Sequence, residues 1–238
     1  MNPVLVLTHN GLEMNKVCVT SALNQDIPTW VYLVDNDSQD HTYEWAKSTD
    51  GLVPVQFSPQ IGVSGGWNHG LKTLFECEGA EHVLVVNSDT VLPRWFYSSL
   101  LSYDGPFISG VSVDNMDTIA NPEPRKELGP GPDFSAFMLT RWCWETVGPF
   151  DETMSLYAQD LDWHIRAHRA GVPLMNAGVP FYHLRSSTLN NAAPKERRAI
   201  QMQADADRLR FYEKYGFHTW SPEYAAQFTP SNFGVDSK

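Results

Sequence analysis

The apolar positions of the chain fall into short unbroken runs, each followed at once by a polar cluster. Val4-Leu5-Val6-Leu7 leads into Thr8-His9-Asn10-Gly11, Trp30 to Val34 into Asp35-Asn36-Asp37-Ser38, and Val83 to Val86 into Asn87-Ser88-Asp89-Thr90. Such runs suit strands buried on both faces, as in a parallel sheet. Between them the spacing changes. Leu12, Val17, Val19 and Leu23 follow a loosely helical spacing that stops before Pro28, residues 42–48 read as a second helix, and Val53 to Phe57 as a short strand. Strand and helix in succession predict a parallel sheet with right-handed crossovers. Its polar turns then share one carboxyl edge, where open α/β sheets bind ligands.

The second half is less regular. The glycine-rich stretch Ile61 to Leu71 reads either as a plain glycine-rich turn before a helix or as a close backbone approach to a ligand at that helix start, where free N–H groups favour anions. Its spacing fits neither a P-loop nor a dinucleotide fingerprint. Residues 104–133 carry five prolines and read as irregular, with 121–133 as a long loop able to cover a site. Residues 134–139 resume an ordered pattern and 141–147 read as a short helix. Tyr157 to Trp163 opens a longer helix ending at Ala170-Gly171, with Asp160 and Asp162 in its first turn. Carboxylates there either complement the helix dipole or stand ready as a general base. Residues 172–181 read as a further strand, 195–215 as a basic amphipathic helix with a solvated charged face, and the chain beyond Trp220 shows no pattern.

Composition narrows the function classes. Of 238 residues 42% are hydrophobic, enough for a sizeable core, and the net charge is −11 with a pI near 5.1. That balance disfavours broad binding to nucleic acid or to an anionic membrane surface. Cys18, Cys77 and Cys143 have no disulfide or metal spacing, which points to a reducing compartment. The first residues read as a strand rather than a signal peptide, and no apolar run approaches the ~20 residues of a membrane span. The expected location is the cytoplasm, either free or peripheral to a membrane. Asp89, at the end of a rigid strand, is placed to hold a divalent cation against a diphosphate, or to make a turn.

Taken together, these stretches resemble family 2 inverting glycosyltransferases of the GT-A fold, in the branch of rhamnosyl- and galactofuranosyltransferases. Val34-Asp35-Asn36-Asp37-Ser38 resembles V-D-N-x-S. Ile61 to Gly70 resembles N-x-G-F-x-G-G-x-N-x-G, with Gln60 and Val63 departing from it. Val86-Asn87-Ser88-Asp89 stands at the D-x-D position. Gly148 to Glu152 followed by Gln159-Asp160-Leu161-Asp162 resembles G-x-F-D-E then E-D-x-D, and Tyr182-His183 with Ser186 resembles Y-H-x-x-S.

The resemblance implies an α/β, Rossmann-like, mostly parallel sheet flanked by helices. It implies one domain over residues 1–216, made of a nucleotide-sugar half (1–103), an acceptor and catalytic half (104–194) and a C-terminal helix (195–216), with a tail at 217–238. It further implies Thr8, Asp35, Asn36, Gly66, Asn68, Asn87 and Ser88 at the donor, Asp89 and His183 on Mn2+ or Mg2+, Asp160 as base, and Asp162 and Trp163 at the acceptor. The donor would be a UDP- or dTDP-sugar. The acceptor would be a glycan, a lipid-linked saccharide, a protein or a modified base. Asn87 and Gln159 stand where relatives carry acids, which keeps a second reading open: a binding module of the same fold without catalysis. A nucleotidyltransferase is disfavoured, because Thr8 to Gly11 lacks a basic glycine-rich signature.

Overall fold

The computed structural model describes residues 1–120, 132–184 and 194–228. In chain order the elements are β1 (Asn2–Thr8), α1 (Leu12–Leu23), β2 (Thr29–Asn36), α2 (Thr42–Lys47), β3 (Leu52–Phe57), α3 (Gly62–Lys72), β4 (His82–Asn87), β5 (Thr90–Val91), α4 (Phe96–Leu101), β6 (Phe107–Val113), α5 (Asp117–Ala120), β7 (Ala136–Thr140), α6 (Arg141–Val147), α7 (Gln159–Arg169), β8 (Leu174–His183), α8 (Pro194–Tyr215) and α9 (Pro222–Ala226). A wider π turn, Thr73–Cys77, continues α3.

The strands form one sheet among the described residues, in the order β3-β2-β1-β4-β7-β6-β8-β5. β3, β2, β1 and β4 run parallel, as the uninterrupted apolar runs require. β7 lies antiparallel between β4 and β6, and β8 runs parallel to β6. The carboxyl ends of β1, β2, β4, β6 and β8 therefore meet the amino end of β7 along one edge. Strand order reverses between β1 and β4, so the crevice above them is a topological switch point.

Alternation along β1 sends Val4 and Val6 into a core with α1 and α4, and Leu5 into a second core with α3, α6 and α7. Gly66 and Gly70 explain how closely α3 sits on the sheet. A Cβ at Gly66 would strike Leu7, and one at Gly70 would strike Leu5. A third apolar cluster joins Leu161 and Ile165 of α7 to Phe211 of α8 and Tyr224 of α9.

Two expectations change, and a third lies outside the described residues. The irregular stretch from 104 contains β6, a central strand, whose Phe107 to Gly110 are buried. Gly110 lets it pass beneath the Phe96 and Phe181 rings, which leave no room for a Cβ. The chain after 216, expected as a tail, folds back through α9 and buries Tyr224. Most of the loop expected at 121–133, along with Ser186 and the last ten residues, lies outside the described residues.

Candidate active site

The edge is assembled from three turns. After β1, the buried Thr8 hydroxyl donates to Asn15 Oδ1 at 2.7 Å, and the His9 ring Nδ1 donates to the Asn36 carbonyl at 2.7 Å. After β2, Asp35 is fully buried. Its Oδ1 accepts the Ser38 N–H at 2.8 Å and a longer bond from Gln56 at 3.4 Å. Its Oδ2 is buried with no partner among the described residues. A buried carboxylate oxygen without a donor is costly, and it marks a place where a ligand completes the hydrogen bonding. Asn36 is differently used. Its Oδ1 accepts the Ile61 N–H at 2.7 Å and its Nδ2 donates to the Gly62 carbonyl at 3.2 Å, so both ends of the amide tie β2 to α3.

The start of α3 also differs from the sequence expectation. The Val63 and Ser64 N–H groups donate to the Ser155 carbonyl, and the Ser64 hydroxyl donates to the Met154 carbonyl at 2.6 Å. Gly62, at φ +74°, brings the backbone against Ser155. The anion-seeking end of the helix is thus met from within the chain. Asn68 is a clamp: Phe150 N–H donates to its Oδ1 at 2.8 Å, and its Nδ2 donates to the Phe150 carbonyl and to Glu152 Oε1, both at 2.9 Å. Gly66 faces Leu7 within the core.

After β4, the turn is braced from below. The Asn87 carbonyl accepts the Thr90 hydroxyl at 2.9 Å and the Cys18 thiol at 3.4 Å. Ser88 is partly exposed beside it. The pairing of Thr90 with His183 between β5 and β8 brings the second half of the chain to this turn. As a result His183 Nε2 and Asp89 Oδ1 lie 3.1 Å apart, both largely shielded from solvent. Among the described residues no third histidine, cysteine or carboxylate joins them as a ligand group.

Asp160 is reached through β7. Asn87 N–H donates to the Ser135 carbonyl at 2.9 Å, and Asp133 holds the same turn by accepting from Ser135 N–H at 2.9 Å and Ser112 N–H at 3.1 Å. Asp133 in turn acts electrostatically on Asp160. Burial pushes the Asp160 carboxyl above the ordinary aspartate range, and the Asp133 charge adds to the shift, against an opposing bond from the Leu161 N–H. Two residues on, Asp162 is fully buried. It accepts from Arg166 Nε at 2.8 Å, Tyr215 Oη at 2.8 Å and Lys214 Nζ at 2.6 Å. Trp163 is fully buried too, its indole donating to the Gly148 carbonyl at 3.0 Å. The acceptor positions implied by resemblance thus lie inside the protein, with their polar atoms engaged in holding α7.

Four contributors escaped the sequence reading: Asp133, Asp207, Lys214 and Tyr215. Asp207 is fully buried and receives the Leu156 and Tyr157 N–H groups at 2.9 and 3.0 Å, which fixes the approach to α7. Only its i,i+3 spacing to Arg210 gave a signal, and that spacing equally fits a solvated face.

Comparison with known proteins places this geometry. Solved structures of S. aureus TarS residues 1–349 superpose with a TM-score of 0.58 at 18% identity, covering 95% of this chain and 77% of that one. The UDP complex of the same protein gives 0.60 at 15%, covering 98% and 77%. A mannosyltransferase from Pyrobaculum calidifontis, solved with GDP-Man and Mn2+, gives 0.56 at 16%, covering 94% and 77%. At such identities the likeness is one of fold, and it agrees with the GT-A architecture. An uncharacterised protein of Mycobacterium tuberculosis is 27% identical over 148 residues, 55% of this chain and 56% of the relative. A Mycobacterium bovis relative matches to the same extent, so the match spans about half the length of these curated relatives. The family model for glycosyl transferase family 2 matches residues 4–166, from β1 into α7, and the chain belongs to that family.

Proposed function

We propose that the protein transfers a sugar from a UDP- or dTDP-sugar to an acceptor hydroxyl with inversion at the anomeric carbon. The observation that carries this reading is the meeting of Asp89 and His183 at the sheet's switch point, beside the β7 turn that leads to Asp160. Thr8 and Asp35 line the nucleoside side, where the unmet Oδ2 of Asp35 accepts a hydroxyl or ring N–H of the nucleoside. Asn36, Gly66 and Asn68 shape that pocket from behind, as the braces described above. Asn87 and Ser88 border the diphosphate.

Asp89 Oδ1 and His183 Nε2 offer one hard oxygen and one imidazole nitrogen to a divalent cation. This donor pair is chemically suited to hold Mn2+ or Mg2+, and Asp89 and His183 are the residues that would do so. Bound there, such an ion would supply charge neutralisation for a leaving diphosphate. The absence of a carboxylate at Asn87 leaves more of the coordination to the donor itself.

The transfer is a single displacement. The acceptor oxygen bonds to the anomeric carbon on the face opposite the diphosphate. The bond from that carbon to the diphosphate oxygen breaks, and its electron pair leaves with the nucleotide. Asp160 takes the acceptor's proton. A carboxyl raised by burial is a stronger base than an exposed one, which suits the role. Asp162 and Trp163 act at one remove, by fixing α7.

Thermal melting with UDP, dTDP and GDP, each with and without Mn2+, tests the donor site. Saturation near 100 Kd adds about 2.7 kcal/mol, a rise of roughly 5–10 °C for a chain of this size. Asp89→Asn should lose the Mn2+-dependent part. Asp160→Asn should keep donor binding and lose roughly 10²–10⁴ in turnover of the donor with its acceptor. A melting temperature indifferent to every nucleotide diphosphate overturns the reading. Donor binding without turnover under any acceptor supports the non-catalytic module instead.

A further inference from the structure

His164 stands four residues after Asp160, on the same side of α7. A protonated imidazole at that spacing would stabilise the Asp160 carboxylate and weaken it as a base. The chain beyond α8 surrounds this histidine. Ser221 caps α9 by accepting the Tyr224 N–H at 3.2 Å, with Pro222 in the first turn. α9 then delivers the Tyr224 hydroxyl to His164 Nδ1 at 2.9 Å. The Phe228 ring lies flat on the imidazole, centroids 3.9 Å apart and planes at 11°, and its edge meets His168 at 5.1 Å. Tyr224 is buried against Phe211 of α8.

We propose that residues 217–228 belong to the catalytic apparatus: Tyr224 and Phe228 are positioning residues that enclose His164 and exclude a positive charge from the surroundings of Asp160. This rests on Asp160 being the base. The charges on the two groups agree with the geometry. Burial, helped by the neighbouring His168, brings the His164 pKa down to about 4. Burial, with the Asp160 charge, pushes the Tyr224 hydroxyl well above its ordinary range, so it stays a neutral hydrogen-bonding group. The other titratable or charged groups around the pair are Asp133 from the β7 turn, His168 and Arg169 further along α7, and Tyr215 from α8. Arg169 is turned aside, donating to Gln227 at 3.2 Å. At neutral pH, among the described residues, this arrangement leaves the Asp160 carboxylate with no cation one turn below it on the α7 face.

The test is an NMR titration from pH 3 to 8 that follows the His164 ring and the Asp160 carboxyl carbon together, so that it needs no turnover. The full chain is compared with Phe228→Ala, Tyr224→Phe and the double variant Phe228→Ala/His164→Gln. In wild type His164 should titrate below pH 5. In Phe228→Ala its midpoint should rise by roughly 1–2 units as water reaches the ring, and the Asp160 midpoint should fall by roughly half a unit to one unit. Tyr224→Phe keeps the volume and should move both in the same directions by less. The double variant should return Asp160 to its wild-type midpoint, which separates the effect of charge from simple loss of burial. The acid limb of the pH–rate profile should follow the Asp160 midpoint in each variant. A wild-type His164 midpoint near 6.5 overturns the proposal. So does an Asp160 midpoint that stays put while His164 rises, or one that the double variant fails to restore. A wild type without turnover in which the titrations behave as expected counts against the transferase reading alone.

Discussion

Removing the carboxylate of Asp162 should be among the most damaging single changes in the molecule, more so than removing either of its cationic partners. Asp162 is fully buried and receives three donors, from Arg166, Lys214 and Tyr215. Breaking a buried ion pair by deleting one partner costs about 3–5 kcal/mol. The side chains of Arg166 and Lys214 remain 25% and 37% exposed and can turn to water, which places Asp162→Ala at the low end, about 3 kcal/mol. For a chain of this length each kcal/mol lowers the melting temperature by about 2–4 °C, so the expected loss is about 6–12 °C. Lys214→Met is milder. Asp162 keeps Arg166 and Tyr215, and the partly exposed Asp151 regains water, so the cost is about 1 kcal/mol or roughly 2–4 °C, in the range of a surface pair. Calorimetry at pH 7, in low and in 0.5 M salt, reads both. The Asp162 effect should survive salt and the Lys214–Asp151 part should shrink. Equal losses for the two variants, or a loss under about 3 °C for Asp162→Ala, would refute the claim that this carboxylate anchors α7.

Other consequences are quicker to check. Burial works to raise the Asp151 carboxyl, but hydrogen bonds from Lys214 and Thr153 outweigh it and hold the pKa at about 2. Its folded value is depressed, so the stability it contributes is present above the unfolded value of 3.8 and is lost as pH falls toward 2. Melting curves of wild type and Asp151→Asn should therefore differ at pH 5 and converge only as the pH falls below about 2. Burial pushes the Cys18 and Cys143 thiols up to about 12, whereas Cys77 is exposed. Titration of the native protein with a thiol reagent at pH 8 should show one fast thiol, with the other two reacting only on unfolding. Gly66→Ala drives a methyl into Leu7 and should cost about 1–3 kcal/mol. Denaturant titration reads that loss, and a stability within 0.5 kcal/mol of wild type would show that α3 moves outward freely.

Much of the parallel half was legible because its signals are local. Apolar runs ending in Thr8, Asp35 and Asn87 announce buried strands and their polar ends, and β1, β2 and β4 follow them closely. β6 was hidden because Pro106 stands just before it and because Ser109, Gly110 and Ser112 interrupt its apolar pattern. Of these, Gly110 is required where Phe96 and Phe181 press on the strand, a fact of the tertiary structure that no local period carries. The same holds for Gly66 and Asn68. Their motif is visible, but only the structure shows that the glycine meets Leu7 and the amide clamps Phe150.

The two halves of the candidate site are consequently built on different physics. On the proposed donor side, strand ends and tight turns position Thr8 and Asp35, held mainly by residues near in sequence, and Asp89, met by His183 and Leu184 at the end of β8. On the proposed catalytic side, Asp160 begins a helix that the sheet alone does not fix. α7 is held instead by a buried carboxylate, Asp162, facing α8, by Asp207 of α8 gripping the approach at Leu156 and Tyr157, and by Tyr224 of α9 closing over His164. Polar groups buried this way stabilise little beyond an apolar core of equal volume, but each accepts one geometry only. The family match ends at residue 166, within α7, so it includes Asp162, while Asp207, Tyr215 and Tyr224, which meet that helix and its approach from α8 and α9, lie beyond it. Changes between residues 207 and 228 should accordingly shift the basicity and position of Asp160 while leaving nucleotide binding at β1, β2 and β4 intact.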